Sequence, residues 1–193
     1  KLYEKLDTLS DGDILVLAGS IPDVMPGSMY MDIMKHLQNK DLKIVVDATK
    51  DLLVNVLQYH PFLIKPNNHE LGEIFGVKIG NKADVITYAK KMQEKGARNV
   101  LVSMAGDGAV LVAEDGSIFQ SEAPKGKVVN SVGAGDSMVA GFIAGYLEDG
   151  SYGKAFQRGV CTGSASAFSE ELATKAEVIA LLDSNKKLFA GEQ

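Results

Sequence analysis

Asn130-Ser131-Val132-Gly133-Ala134-Gly135-Asp136-Ser137-Met138-Val139-Ala140-Gly141-Phe142 decides what kind of chain this is. Three small residues, Gly133, Ala134 and Gly135, stand directly before an acidic residue and a segment of helical character. Asp136 then falls in the first turn of a helix, where backbone N–H groups have no intrahelical partner and the dipole is positive. Small residues let an anionic ligand come close to the backbone, so the turn can gather N–H donors around a phosphate. A carboxylate beside that anion hole can accept a proton from an alcohol attacking the phosphate, as phosphoryl transfer requires. A bare G-x-G-D is also simply a helix start with flexible glycines and an acidic first turn. The full stretch is more specific than that.

Before this stretch the chain alternates between strand and helix patterns. Ile14-Leu15-Val16-Leu17-Ala18 is a continuous apolar run ending in Gly19-Ser20, expected as a buried strand and a turn. Pro22 and Pro26 keep the connection extended, and residues 28–38 have helical spacing at Met31, Met34 and Leu37. Residues 43–47 and 62–64 read as further strands, with a short helix at 51–58 between them. Helices closed by Gly76 and Gly96 are expected near 70–75 and 83–94. Strands at 99–104 and 109–113 are joined by Gly106-Asp107-Gly108, and Ile118-Phe119 continues the sheet after Asp115-Gly116. Helices are expected at 136–148, 152–168 and 175–183. Such alternation means a mostly parallel sheet covered on both faces, and ligands then sit beyond the carboxyl ends of the strands.

Three more segments fall near those ends. In Lys65-Pro66-Asn67-Asn68-His69-Glu70, Asn67 and Glu70 are three apart and share one face of a helix that begins there. An amide oxygen and a carboxylate suit Mg²⁺ through its retained waters, and Lys65 can meet a phosphate as a point charge. The same residues read equally as a capping box, with Asn67 as N-cap and Glu70 at the third helical position. His69 reads as an exposed helix residue. Ser103-Met104-Ala105-Gly106-Asp107-Gly108 is either a hairpin turn or a glycine-rich wrap for a ligand. The small residues of Val160-Cys161-Thr162-Gly163-Ser164-Ala165-Ser166-Ala167 permit close helix packing or the wall of a pocket. Cys161 has no His or basic neighbour in sequence to activate it and reads as a packing cysteine. Asp47, at a strand end, reads as a turn or helix cap.

Composition narrows the partners. The chain has 193 residues, 46% hydrophobic and 23% charged, which is ordinary for a globular protein with a sizeable core. A net charge of −5 gives no electrostatic reason to expect nucleic acid or an anionic membrane surface. No apolar run is long enough to cross a bilayer and no signal-peptide pattern is found. The single cysteine excludes an internal disulfide framework and points to a reducing, cytoplasmic compartment.

Residues 130–143 resemble the C-terminal signature of the ribokinase/PfkB family of sugar and nucleoside kinases, including the Ala140-Gly141 pair inside the helix. The resemblance implies a ribokinase-like three-layer α/β/α fold and ATP and Mg²⁺ as cofactors. It implies Asp136 as the catalytic base and the amides of Gly133, Ala134 and Gly135 as the anion hole. By the same likeness Lys65 and Asn67 bind nucleotide phosphate, and Asn67 and Glu70 hold the metal through water. Ser103, Gly106 and Gly108 belong to a turn that wraps the nucleotide, where the family often has Gly in place of Ala105. Val160 and Ser164 line the adenine pocket. Ala18-Gly19-Ser20-Ile21-Pro22 resembles the G-S-x-P turn of the phosphosugar kinase branch.

Within the family, residues 64–67, 131–138 and 166–169 are most similar to 1-phosphofructokinases, with tagatose-6-phosphate kinases and minor 6-phosphofructokinases next. The implied reaction is phosphorylation of fructose 1-phosphate to fructose 1,6-bisphosphate. Asn130-Ser131 stand where ribokinase-like members often have Asp-Thr at a monovalent-cation site. Family members also carry first strands, a Gly-Gly sugar turn and a small β-sheet lid, and no stretch before Ile14 supplies these. Residues 1–193 are therefore expected to be the C-terminal portion of such a domain, with the nucleotide and catalytic-base side. Alone, that portion is expected to bind nucleotide weakly without phosphorylating sugar. The resemblance leaves a homodimeric parent open. A non-catalytic nucleotide-binding module is a reading of another class, but Asp136 and Glu70 are both present. A dinucleotide-dependent oxidoreductase would need G-x-G-x-x-G after an early strand, and the chain has none.

Overall fold

The apolar runs form strands buried on both faces, which is what a parallel sheet flanked by helices demands. The computed structural model describes residues 1–19, 21 and 26–189. The chain divides into two compact units, Lys1–Val102 and Ser103–Gln193.

In the first unit β1 (Ile14–Ala18), β2 (Lys43–Asp47), β3 (Leu63–Ile64) and β4 (Asn99–Ser103) are paired in parallel, with Leu15 opposite Ile44, Val45 opposite Leu63, and Leu63 opposite Asn99. Val45, Val46, Leu63, Ile64, Val100 and Leu101 are completely buried. β1 departs from the expectation of a buried strand. Leu17 is buried, but Val16 is 43% exposed. The reason is position: β1 begins the strand order, and β2 is the neighbour it pairs with among the described residues.

Among the described residues the helices of this unit are α1 (Leu2–Asp7), α2 (Met29–Leu37), α3 (Lys50–Val54), α4 (Asn68–Phe75) and α5 (Lys82–Glu94). α2 buries Tyr30, Ile33, Met34 and Leu37, the spacing of one apolar stripe, and Met31 lies at its half-buried margin. The helix expected over 51–58 divides into α3 and a 3-10 turn at Leu57–Tyr59. Pro61 disfavours the α conformation at the preceding residue, and His60 turns into β3 with φ 53°.

The second unit holds an antiparallel pair, β5 (Ala109–Val112) and β6 (Ile118–Ser121), and the helices α6 (Ala134–Asp149), α7 (Tyr152–Phe168) and α8 (Lys175–Ser184). Phe142 of α6 and Phe156 of α7 are completely buried. The two helices approach closely because their facing residues lack side chains. A Cβ on Gly141 would lie 2.3 Å from Thr162 Oγ1, and one on Gly145 would lie 2.8 Å from Ala155 Cα. Among the described residues no helix is long and apolar enough to cross a membrane.

Candidate active site

Gly133 is the N-cap of α6 and sits in the left-handed region at φ 78°, which an L side chain adopts only under strain. A Cβ there would also meet Leu172 Cδ2 at 2.8 Å. Asn130 shapes the approach to the cap: its Oδ1 accepts the Val132 N–H at 3.0 Å and its amide donates to Glu170 O at 3.1 Å. The helix closes its first bond from Ser137 N–H to Gly133 O at 2.9 Å. The N–H groups of Gly133, Gly135 and Asp136 find no acceptor among the described residues, whereas Ala134 N–H donates to Ser131 O at 3.2 Å. The donor set thus differs from the expected Gly133–Gly135 trio, because Ser131 already engages the amide of Ala134. The amide of Asp136 joins the set, as expected from the four unpaired N–H groups at a helix start, although the motif itself does not point to it. Asp136 is exposed, and its carboxylate makes no hydrogen bond or ion pair among the described residues. Unspent donors and an unpartnered carboxylate therefore share one helix turn.

Also in this unit is the turn between β4 and β5. A 3-10 turn at Ala105–Asp107 is held by Asp107 N–H to Met104 O at 3.0 Å, Gly108 N–H to Ala105 O at 3.1 Å and Met104 N–H to Gly108 O at 2.9 Å. Ala105 carries φ 49°, where the resembling family often places Gly. Gly108 is at φ 92°, and a Cβ on it would lie 1.9 Å from Ser121 O. Ala105, Gly106 and Asp107 are exposed and Ser103 is half-buried, so the turn offers backbone to a ligand.

The small residues of α7 serve close packing. Cβ atoms on Gly159 and Gly163 would lie 3.0 Å from Met138 O and Ala134 O of α6. Val160 is 1% exposed and belongs to the core, while Ser164 is half-buried. Cys161 is buried, and burial pushes its thiol up to about 12, as befits a packing cysteine.

In the first unit, Asn67 and Glu70 form the capping box. Asn67 Oδ1 accepts Glu70 N–H at 2.8 Å, and Glu70 Oε2 accepts Asn67 N–H at 2.8 Å. One carboxylate oxygen of Glu70 is committed to the cap, which suits water-mediated metal contact better than a direct cage. Among the described residues there is no cluster of three or more His, Cys, Asp or Glu side chains able to hold a metal. Lys65 is buried, and its ammonium lies 3.2 Å from Asp47 Oδ1 at the end of β2. Tyr30 OH donates to Ala18 O at 2.8 Å, and burial together with the charge of Asp47 raises its phenol above the ordinary range. The sequence alone suggests only a turn or helix cap for Asp47. The available signal was an acid and a base at the ends of β2 and β3, which pair in parallel. His69 is exposed as expected. Of the G-S-x-P turn, Ser20 and Pro22 lie outside the described residues.

Comparison with known proteins places the chain in a family. The chain matches the model of the pfkB family carbohydrate kinases over residues 1–178. It is 47% identical to the 1-phosphofructokinase of Bacillus subtilis over 179 residues, 93% of this chain and 59% of that protein. It is 34% identical to the D-tagatose-1-phosphate kinase of Bacillus licheniformis, covering 89% of this chain and 57% of that protein. It superposes with a TM-score of 0.85 on Escherichia coli phosphofructokinase-2 in complex with substrates and products, at 27% identity, covering 99% of this chain and 61% of that one. The chain thus spans about three fifths of the length of these relatives. The fold is the ribokinase-like α/β/α architecture expected from the sequence. On the family match and on the identity to its members, the chain belongs to the pfkB family of carbohydrate kinases.

Proposed function

We propose that the protein transfers the γ-phosphoryl group of ATP to fructose 1-phosphate, giving fructose 1,6-bisphosphate and ADP. The observation that carries this is the first turn of α6, where unspent N–H donors and the unpartnered Asp136 carboxylate stand together. Asp136 takes the proton of the attacking sugar hydroxyl. The hydroxyl oxygen then bonds to the γ-phosphorus as the bond to the ADP oxygen breaks. The amides of Gly133, Gly135 and Asp136 meet the negative charge that develops, and a preorganised donor turn needs no rearrangement to do so.

Nucleotide contacts are assigned to Ser103, Gly106, Gly108 and Ser164, with Val160 supporting the wall from the core. Lys65 contributes positive charge toward phosphate, held by Asp47. Asn67 and Glu70 fit an outer position on Mg²⁺, which when bound neutralises phosphate charge. The names of the 47% and 34% identical relatives share a ketohexose 1-phosphate as acceptor. That pattern supports a 1-phosphorylated ketohexose over tagatose 6-phosphate, and D-tagatose 1-phosphate is the second reading. The kinase family and lone cysteine support a cytoplasmic setting, and a homodimer is the assembly to test by light scattering.

The test is ADP formation by the full-length protein with fructose 1-phosphate, tagatose 1-phosphate, tagatose 6-phosphate and fructose 6-phosphate in parallel. The highest kcat/KM is expected with fructose 1-phosphate. No sugar-dependent ADP formation with any of the four would overturn the proposal.

A further inference from the structure

Ser137 directly follows Asp136 in the first turn of α6, and its hydroxyl is buried. Ser166, 2% exposed near the end of α7, lies with its Oγ 2.9 Å from Ser137 Oγ. The same Ser166 Oγ accepts the Ala173 N–H at 3.1 Å. Ser166 therefore ties the turn that bears Asp136 to the segment between α7 and α8. The last turn of α7 and the segment that follows it also hold the residues leading into α6. Ala167 O accepts the Val129 and Asn130 N–H groups at 2.8 and 3.2 Å, and Glu170 O accepts the Asn130 side-chain amide at 3.1 Å. Its far end is fixed by the capping box of Thr174 and Glu177 at the start of α8.

The hydroxyl pair is a directional contact within a helix interface that is otherwise closely packed. The glycine contacts between α6 and α7 are closed by backbone and apolar atoms, whereas Ser166 Oγ bonds both Ser137 Oγ and the Ala173 N–H. What a directional bond adds is rotational and axial placement of the first turn of α6. Glycines at 133 and 135 leave that turn little stiffness of its own.

We propose that Ser166 is a positioning residue for the reaction, which through Ser137 and Ala173 holds the first turn of α6 so that Asp136 faces the attacking hydroxyl. The proposal rests on the reading of Asp136 as the base. Displacement of a reacting group by a fraction of an ångström lowers turnover without abolishing ligand binding.

The experiment measures steady-state ATP and fructose 1-phosphate kinetics of the full-length protein carrying Ser166→Ala, Asp136→Asn, or both. Ser166→Ala is expected to lower kcat roughly ten- to a hundredfold, with both KM values within about twofold. In the Asp136→Asn background it is expected to add no further loss, because the group it positions is already gone. Parental kcat for Ser166→Ala, or the same fractional loss in both backgrounds, would overturn the positioning role. Parental turnover by Asp136→Asn alone would instead overturn the base on which the proposal rests. Should Ser166→Ala fail to fold, Ser137→Ala keeps the Ser166–Ala173 bond and is read by the same criteria.

Discussion

Asn67 and Glu70 satisfy one another's backbone at the start of α4: each side-chain oxygen accepts the other residue's N–H at 2.8 Å. A cap and a metal partner can coexist in one carboxylate, since two oxygens are available and the cap engages one. Substitution separates the two roles. Gln serves in a capping box through its amide oxygen but carries no charge. Glu70→Gln is therefore expected to keep the melting temperature nearly unchanged and to raise the Mg²⁺ concentration for half-maximal rate. Glu70→Ala should in addition lose roughly 1 kcal/mol of stability with the cap bond. An unchanged Mg²⁺ dependence in Glu70→Gln would leave Glu70 as a cap alone.

Ala105 holds φ 49° in the 3-10 turn before β5. The left-handed conformation costs an L-residue roughly 1–2 kcal/mol, and glycine avoids this at some expense in unfolded-state entropy. Ala105→Gly is expected to stabilise the protein by about 0.5–1 kcal/mol in urea unfolding, with an unchanged slope. A loss of stability would show that the alanine methyl makes a contact worth more than the strain.

Cys161 is buried with its thiol pushed up to about 12, so the nucleophilic thiolate is nearly absent at neutral pH. A thiol reagent should leave the native protein unmodified at pH 8 and titrate one thiol after unfolding in urea. Rapid native labelling would place Cys161 at an opening that the packing of α6 on α7 does not provide.

Three carboxylates sit below their ordinary range: Asp115 through the Ser117 hydroxyl and amide, Asp149 through Lys154, and Glu177 through the Thr174 amide and hydroxyl. A depressed pKa means the folded state binds these protons less readily than the unfolded chain. Their support is complete above the ordinary carboxylate range of 3.8 to 4.5 and is lost as pH falls through the folded values. All three groups are solvent-exposed, so each contribution is small. Thermal melts should be flat with respect to these groups from about pH 7 to 5 and decline below about 4. Glu177→Gln should remove part of that acid decline, and an identical acid profile would show that the α8 cap does not contribute to it.

The strands and the long helices were legible because their patterns are one-dimensional. Val45 and Val46, or Met34 and Leu37 of α2, announce burial by spacing alone, whereas Met31 of the same expected stripe is only half-buried. The first turn of α6 was legible for the same reason, since glycines and an acid before a helix have a local meaning. What escaped depends on partners distant in sequence. Val16 looks as buried as Val45 until the strand order shows that β1 stands at its beginning. Asp47 and Lys65 are 18 positions apart and meet because β2 and β3 run parallel. The choice at Asn67 and Glu70 was open in sequence, and the capping geometry supplies one of its two answers without removing the other. For the small-residue run of α7, Gly159 and Gly163 against the α6 backbone reveal the packing role.

The most direct measurement is the turnover of Asp136→Asn in the full-length protein with saturating ATP and fructose 1-phosphate, alongside ATP binding by calorimetry. General-base catalysis contributes roughly 10²–10⁴ in rate, so kcat should fall about a hundredfold or more while ATP affinity stays within a few-fold of the parent. A mutant that turns over at the parental rate would contradict the assignment of Asp136 as the base.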